Sequence, residues 1–518
     1  MDMQMGLINT ELMITVLLLI AAFVSWFTKR VNFPYTVGLV LVGVLITLLL
    51  PNKPELAPHV ARELILLLLL PPLVFEAALH IEFSEFRDNL FSMLMFAVPG
   101  VLVTTILVGW LLAVITGLPL STMLVFGALI AATDPVAVTA IFRELGLPKR
   151  LGLLTEGESL LNDATAIVVF SLLLEFAIDP SNFSFANGVI EFLRVSGLGL
   201  LVGFVSGYIA YKLIRQIDDY LVETVLSAVV AYGSYLVAEQ LHASGVLAVL
   251  VAGLLIGNSG RRYGMSHTTR NVLLHIWEFV VFIANTFVFL LIGLQVNLEK
   301  IFDSSVLIGI AVIMTLVARI ITVFGLSPII NRFAPNKTPL SWQAVLVWGG
   351  LRGGIALALV LALPENFVGY DEVLVMTFGV VLFTLGVQAT TLPLLLRKLG
   401  LLKGNKNLIE YERRRARLAA AKSSEEFLQL QYAEGLVTKQ IYEVLVSEVQ
   451  VEIKKFSGDV EEALIMLPDI RDDELEIVRK EILQVKRDTL RILRHDGIIG
   501  TDVFTELTTE IDVDLSAH

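Results

Sequence analysis

The stretch Leu153–Phe170, LLTEGESLLNDATAIVVF, is apolar and of helical length, yet it carries Glu156, Glu158 and Asp163. Ionisable groups in the middle of a membrane helix are costly, and by default they mark an ion or proton path. Helical geometry sorts them. Ser159 and Asp163 are four residues apart and share one face, while Glu158 and Asn162 share a second face about 100° round. One side then offers oxygen ligands, and the other a buried acid beside an amide. A soluble helix with a charged surface would carry the same letters, so the surrounding chain decides.

Of the 518 residues, 56% are hydrophobic and only 17% are charged, with a mean hydropathy of +0.77. A soluble chain carries about 25% charged residues, so this composition reads as an integral membrane protein. There is no cysteine, which excludes disulfides, thiol catalysis and cysteine-based metal sites. The N-terminus, MDMQMGLINTE, is acidic and lacks the basic region of a secretory signal. Its first apolar run is followed by Lys29 and Arg30 and reads as a retained first span with the N-terminus outside.

At roughly 17–25 apolar residues per span, the chain reads as an all-α polytopic protein of about thirteen transmembrane helices. They cover residues 10–28, 34–50, 62–79, 91–116, 121–144, 150–178, 187–215, 220–239, 244–258, 271–297, 303–330, 339–363 and 370–398. Cytoplasmic loops should be rich in Lys and Arg. Alternate loops hold Lys29 and Arg30, Arg87, Lys149 and Arg150, Lys212 and Arg215, Arg261, Arg262 and Arg270, then Arg332 and Lys337. The opposite loops carry only Lys53, Arg62 and Lys300. An odd number of spans delivers the run RRRAR, Arg413–Arg417, into the cytoplasm.

An odd number also suits two inverted six-helix repeats joined by the seventh helix, a recurring transporter plan with binding sites at interrupted helices near the midplane. Spans five and twelve would be repeat partners, and both look broken. Span five contains Ala132-Thr133-Asp134-Pro135, where a mid-helix proline removes a hydrogen bond and frees the carbonyl near Ala131. Span twelve contains WGGLRGGIA, with Gly349, Gly350, Gly353 and Gly354 around Arg352.

Residues 1–403 thus read as the transmembrane domain and residues 404–518 as a cytoplasmic, acidic, helical tail. The tail holds 16 Lys/Arg against 24 Asp/Glu, a balance that argues against nucleic-acid binding. It also contains a weak duplication: the pattern from Glu434 through Ile441 and Tyr442 to Val449 recurs from Asp496 through Val503 and Phe504 to Ile511. Two similar helical hairpins are expected, each beginning with a helix stopped at glycine. Regulation or subunit contact is the expected role, with no partner specified.

The intramembrane polar residues are Glu76 in LLPPLVFEAALH, Asp134, Glu158, Asn162, Asp163, Glu278 in HIWEFVVF, Arg319 in LVARIITVF, and Arg352. A hard monovalent cation such as Na⁺ takes oxygen ligands. Thr133, the freed backbone beside Asp134, Ser159 and Asp163 supply that set, and Glu76 adds a further oxygen. Pro71 and Pro72 bend the helix that carries Glu76. The same carboxylates bind protons, since desolvation and a neighbouring carboxylate favour the neutral form whereas a bound cation opposes it. Cation and proton then compete for Asp163, and that competition is sufficient for exchange without covalent chemistry or a cofactor. Arg319 cannot deprotonate, and a buried arginine needs an acid, so it should pair with Glu158 as a structural latch. Glu278 reads as an interfacial anchor or helix-end contact, and Arg352 as satisfying the broken-helix carbonyls of span twelve.

The segments GESLLNDA (Gly157–Ala164), TDPVAV (Thr133–Val138), LLPPLVFE (Leu69–Glu76), WEFVVF, LLIGLQV (Leu290–Val296) and WGGLRGGIALAL resemble the sodium/proton exchangers of the cation:proton antiporter superfamily. The nearest branch is the electroneutral NhaP-type antiporters, which are similar to the animal sodium/hydrogen exchangers. The resemblance covers residues 10–398. It implies thirteen spans, a homodimer, and a core domain moving in an elevator-like manner against a dimerisation domain. It places the exchanged ion at Asp163, with Asp134, Ser159, Thr133 and Glu76 nearby and Arg319 paired with Glu158. In this branch an Asn-Asp pair, here Asn162-Asp163, replaces the Asp-Asp pair of electrogenic relatives, so one proton is exchanged for one cation.

The expected function is electroneutral exchange of Na⁺, and of Li⁺, for H⁺ in a cell membrane, serving sodium and pH homeostasis. Exchange of K⁺ for H⁺ on the same scaffold remains an alternative, because the ligand types do not separate the two cations. An intramembrane aspartyl hydrolase built on Asp134 and Asp163 would need neither the Arg319–Glu158 pair nor a second broken helix. A channel would conduct with a voltage-dependent flux that one-for-one exchange lacks.

Overall fold

The computed structural model describes residues 2–31, 33–49, 63–180, 184–214, 219–259, 267–296, 298–364, 366–402 and 406–465, with scattered positions between 475 and 511. Among these residues every regular element is a helix. The chain separates into two compact units, Met1–Leu399 and Gly400–His518.

In the first unit, thirteen apolar helices follow one another among the described residues: α1 (Asp2–Val31), α2 (Tyr35–Leu49), α3 (Leu64–His80), α4 (Phe83–Thr116), α5 (Leu120–Glu144), α6 (Lys149–Ile178), α7 (Phe185–Ile214), α8 (Tyr220–Gln240), α9 (Gly245–Ser259), α10 (His267–Leu294), α11 (Ser305–Phe333), α12 (Leu340–Trp348 continued by Gly354–Val360) and α13 (Tyr370–Lys398). Eight of them are long and apolar enough to cross a membrane, and shorter apolar helices lie within α1, α2, α3 and α9. The loop cations Lys53, Arg62, Arg215, Arg261 and Arg262 lie outside the described residues.

The starts of two helices differ most from the hydropathy reading. Helix α1 begins at Asp2 rather than near residue 10. Helix α4 starts at Phe83 rather than near residue 91, because its first turns carry Glu85, Arg87 and Asp88 and look polar although they are helical. Pro99 then opens its second segment, Pro99–Thr116, as expected where a proline removes an amide donor. A short helix, Leu298–Asp303, also precedes α11. Helix α3 begins with a wide π-turn over Leu64–Leu69. Pro71 and Pro72 follow at once, and the wide turn makes room for rings that would collide with a regular one.

Lipid tails give apolar helices no hydrophobic reason to associate, so close packing of small residues does that work. Helices α2 and α10 cross at Gly43 and Gly293, where a Cβ on Gly43 would lie 2.7 Å from the Leu290 carbonyl oxygen. Gly203 brings α7 onto the Ala248 backbone of α9 in the same way. A continuous buried core joins α3, α4 and α6 to α7, α8, α9 and α10 through residues such as Phe75, Met93, Leu154, Leu250 and Trp277. The indole of Trp277 is anchored by donating to Ser227 Oγ at 2.9 Å.

In the second unit, α14 (Lys406–Ala433) and α15 (Lys439–Ile465) form an antiparallel pair. Helix α14 ends at Gly435, whose φ of 73° is the left-handed conformation that closes a helix at glycine. Tyr432 and Tyr442 stack across the turn with centroids 4.5 Å apart. Arg414 bridges back to Glu462 at 3.3 Å and to the Asp459 carbonyl at 2.9 Å. In the second copy of the duplicated pattern, Asp496 and Gly497 lie outside the described residues.

Candidate functional site

Helix α5 is two helices. Leu120–Ala131 ends at Ala132, whose ψ of 136° turns the chain extended, and Val136–Glu144 restarts after Pro135. Helix α12 is interrupted likewise, between Trp348 and Gly354. The two breaks meet. The Asp134 amide donates to the Leu351 carbonyl at 2.9 Å, so the unwound segments hydrogen-bond to each other. Gly353 lies directly against the Asp134 side chain.

Arg352 completes the crossing and corrects one expectation. Its Nη1 donates at 2.9 Å to the Ala131 carbonyl and at 3.0 Å to the Ala132 carbonyl. The guanidinium therefore satisfies the break in α5, not the one in its own helix. The reason is geometric: a side chain leaving an unwound segment points away from that segment's own carbonyls, whereas the partner break is adjacent. This pairing occupies one of the two lone pairs on each of the Ala131 and Ala132 carbonyl oxygens.

Helix α6 supplies the third side. Its partners do not follow the two i,i+4 faces: Ser159 and Asn162, from different faces, both meet Thr133, while Glu158 turns to α11. Asn162 Nδ2 donates to Thr133 Oγ1 at 2.7 Å, and Asn162 Oδ1 accepts from the Thr133 amide at 3.4 Å, so one amide side chain holds the extended segment by both its atoms. Ser159 Oγ lies 2.9 Å from Thr133 Oγ1. Glu158 faces α11, where Arg319 Nη1 donates to its Oε1 at 2.6 Å. Arg319 also donates to the Leu346 carbonyl on α12 at 3.0 Å, and both partners are buried. Removing one member of such a pair would strand a buried charge.

Asp163 and Asp134 line one cavity of about 260 Å³, together with Glu76, Thr133, Glu156, Asn285 and Gly353. Asp163 is 8% exposed. Asp134 Oδ1 accepts from the Val136 amide at 3.0 Å, capping the restarted helix and leaving its second oxygen beside Gly353. The charged groups at the crossing and its cavity are Glu76, Asp134, Glu156, Glu158 and Asp163 against Arg143, Arg319 and Arg352, an acidic excess that suits a cation or protons.

Of the expected ion ligands, Asp163, Asp134, Thr133 and Glu76 line the cavity, while Ser159 reaches it through Thr133. Glu76 does not stand alone there: its Oε1 lies 3.1 Å from His80 Nδ1, one helical turn on. Glu156, singled out in the sequence but given no role there, lines the cavity together with Asn285, and Arg143, at the end of α5, pairs with Glu156 at 3.1 Å; Asn285 and Arg143 escaped the sequence reading. The i,i+4 spacing of Glu76 and His80 was visible in the sequence; the Arg143–Glu156 contact joins two helices and leaves no local signal. Glu278 lies away from the cavity, on an exposed face of α10 with His275 at 3.3 Å.

The family described as sodium/hydrogen exchanger, transmembrane, matches residues 17–398. The chain is 42% identical over 381 residues to the Na(+)/H(+) antiporter ApNhaP of Aphanothece halophytica, covering 73% of this chain and 72% of that protein. It is 33% identical to the Na(+)/H(+) antiporter NhaG of Bacillus atrophaeus, with 94% of this chain and 93% of that protein covered. Among solved structures, the sodium proton antiporter MjNhaP1 from Methanocaldococcus jannaschii superposes with a TM-score of 0.64. That match spans 78% of this chain and 100% of the other at 20% identity, a likeness of fold. With a family match spanning nearly all of its membrane helices, the chain belongs to the sodium/hydrogen exchanger family of membrane transporters.

Proposed function

We propose that the protein exchanges Na⁺ for H⁺, one for one, at Asp163. The observation that carries this reading is the buried Asp163 carboxylate opening into the cavity beside the crossed breaks of α5 and α12. Na⁺ binds Asp163 and Asp134, with Thr133, Ser159 and Glu76 contributing oxygens, and Li⁺ is accepted by the same hard donors. A proton on Asp163 displaces the cation, and a cation displaces the proton. One carboxylate that exchanges one cation for one proton moves no net charge, hence a voltage-independent cycle. Arg319–Glu158 and Arg352 hold the crossing and do not titrate in the cycle.

The crossing moves as a body against the rest of the membrane unit, in an elevator-like alternation that presents the cavity to each side in turn. The working form is a homodimer in the cytoplasmic membrane with lipid around it. Its N-terminus is outside and its acidic tail, residues 404–518, lies in the cytoplasm, where it regulates exchange. Relatives that carry the name Na(+)/H(+) antiporter support sodium as the cation.

The test is reconstitution in liposomes with an imposed pH gradient and a pH-sensitive dye, adding Na⁺, Li⁺ or K⁺ in turn under a voltage clamp set by potassium and valinomycin. Na⁺ should dissipate the gradient at a rate independent of voltage, and Asp163→Asn should abolish it. Activity with K⁺ alone would overturn the substrate. Full activity in Asp163→Asn would overturn the site.

A further inference from the structure

Where it meets the α12 break, helix α13 relaxes into a π-turn over Thr384–Gln388. Two side chains of this turn reach the α12 break. Thr384 Oγ1 accepts from the Arg352 amide at 3.1 Å, and Gln388 Nε2 donates to the Trp348 carbonyl at 3.1 Å. The second bond fixes the orientation of the Gln388 amide: its nitrogen is committed, so its oxygen is an acceptor pointing elsewhere.

The buried polar atoms without a hydrogen-bond partner among the described residues include Arg352 Nε, Gln388 Oε1 and Thr315 Oγ1 on α11. Their residues are 1%, 1% and 3% exposed. These three line one small cavity of about 10 Å³ between α11, α12 and α13. Buried polar groups are rarely left unpaired, and three around one cavity point to a shared ligand. A single water needs about 10–15 Å³ of such space and two to four polar partners. The chemistry selects among ligands. A cation faces two arginines, Arg319 and Arg352. A halide can only accept, which opposes Gln388 Oε1. Water accepts from Arg352 Nε and donates to Gln388 Oε1, and it meets the Thr315 hydroxyl in either sense.

We propose that one internal water is a resident ligand of this cavity, and that Thr315 and Gln388 act through it as positioning residues for Arg352. The water sets the azimuth of the guanidinium, and the guanidinium holds the Ala131 and Ala132 carbonyls beside the ion site. The π-turn supplies the room, since its extra residue per turn carries Gln388 to the break. The functional half of this proposal rests on the sodium/proton reading above; the water itself does not.

The first arm of the test is a map of the full-length protein in lipid nanodiscs at a resolution that shows ordered waters. A peak within about 2.7–3.2 Å of Arg352 Nε, Gln388 Oε1 and Thr315 Oγ1 is expected. Absence of a peak with these side chains ordered, or replacement of the peak by bromide in soaked samples, overturns the water. The second arm measures Na⁺ exchange by Thr315→Val, Thr315→Ser and Gln388→Met in liposomes. Apparent KM should rise roughly fivefold in Thr315→Val and Gln388→Met, the worth of about one net hydrogen bond. kcat should change less, and Thr315→Ser should restore the wild-type KM. Wild-type KM in both Thr315→Val and Gln388→Met overturns the positioning role. A wild-type protein that exchanges no sodium would sink the proposed function, while the map would still decide whether the water is there.

Discussion

Replacing Gly353 by alanine places a methyl group where the Asp134 side chain now lies. The added Cβ would be 2.6 Å from both Asp134 Cβ and Cγ, and it would overlap Oδ2. Comfortable carbon contacts are about 3.5–4.0 Å, so the shortfall is about 1 Å. Gly353 has a negative φ of −140°, so no left-handed backbone strain adds to the clash. The steric overlap then sets the penalty. Asp134 can turn away only by giving up its 3.0 Å bond from the Val136 amide, and the two breaks can separate only by stretching the 2.9 Å bond from Asp134 N to Leu351 O. Overpacking of this kind costs about 1–3 kcal/mol. At 1.4 kcal/mol per factor of ten, apparent Na⁺ affinity should fall about fivefold to 150-fold. The assay is Na⁺ titration of proton flux in liposomes, with Gly325→Ala on α11 as the control. A Cβ at Gly325 meets nothing within 4 Å, so that variant should match wild type. A Gly353→Ala protein with KM and kcat within about twofold of wild type would refute the claim that Asp134 is held against α12.

Glu158→Gln strands Arg319 in the interior and should cost about 3–5 kcal/mol, read as a lower melting midpoint in detergent. The double variant Glu158→Leu with Arg319→Met should recover most of it; equal loss in both would end the latch interpretation. Asn162→Leu forfeits both bonds to Thr133 and should raise the KM for Na⁺ while the protein still folds, so an unchanged KM counts against the clamp. Arg150 donates to Asn89 Oδ1 at 2.8 Å, to the Asn336 carbonyl at 2.8 Å and to the Lys337 carbonyl at 3.0 Å, and it lies over Trp342. Arg150→Ala should therefore lower stability by about 1–3 kcal/mol with KM unchanged, and a selective KM effect would contradict a purely structural staple. If protons and sodium share Asp163 as proposed, the apparent KM for Na⁺ should rise about tenfold per unit of falling pH once protons dominate the site, with kcat at saturating Na⁺ constant. A KM independent of pH would mean separate sites.

The positions of the breaks were legible because their causes are local: Pro135 removes an amide, and four glycines surround Arg352. The i,i+4 rule separates Ser159 and Asp163 from Glu158 and Asn162, but the contacts cut across that division, since Ser159 and Asn162 both meet Thr133 while Glu158 meets Arg319. What could not be read was which partner each face meets. Arg352 crosses to the carbonyls of the other break, and no spacing within WGGLRGGIA encodes that. The π-turns at Leu64–Leu69 and Thr384–Gln388 were equally silent. A wide turn changes which residues face the core without changing composition, and only the proline pair after the first gives any hint. The first turns of α4 were missed because hydropathy measures solvent preference, and an amphipathic helix start scores as a loop.

The reciprocal tie between the two unwound segments bears on direction. One strand supplies the amide and the other the carbonyl, while an arginine from the second strand seals the first. Neither can straighten without undoing the other, so in the proposed alternation the oxygen cage would travel intact instead of being assembled afresh on each side. An exchanger with an undistorted cage has equal intrinsic affinity at both faces and no built-in rectification. It runs forwards or backwards as the two chemical gradients dictate. In a cell, protection against reverse flow must then come from elements outside the cage.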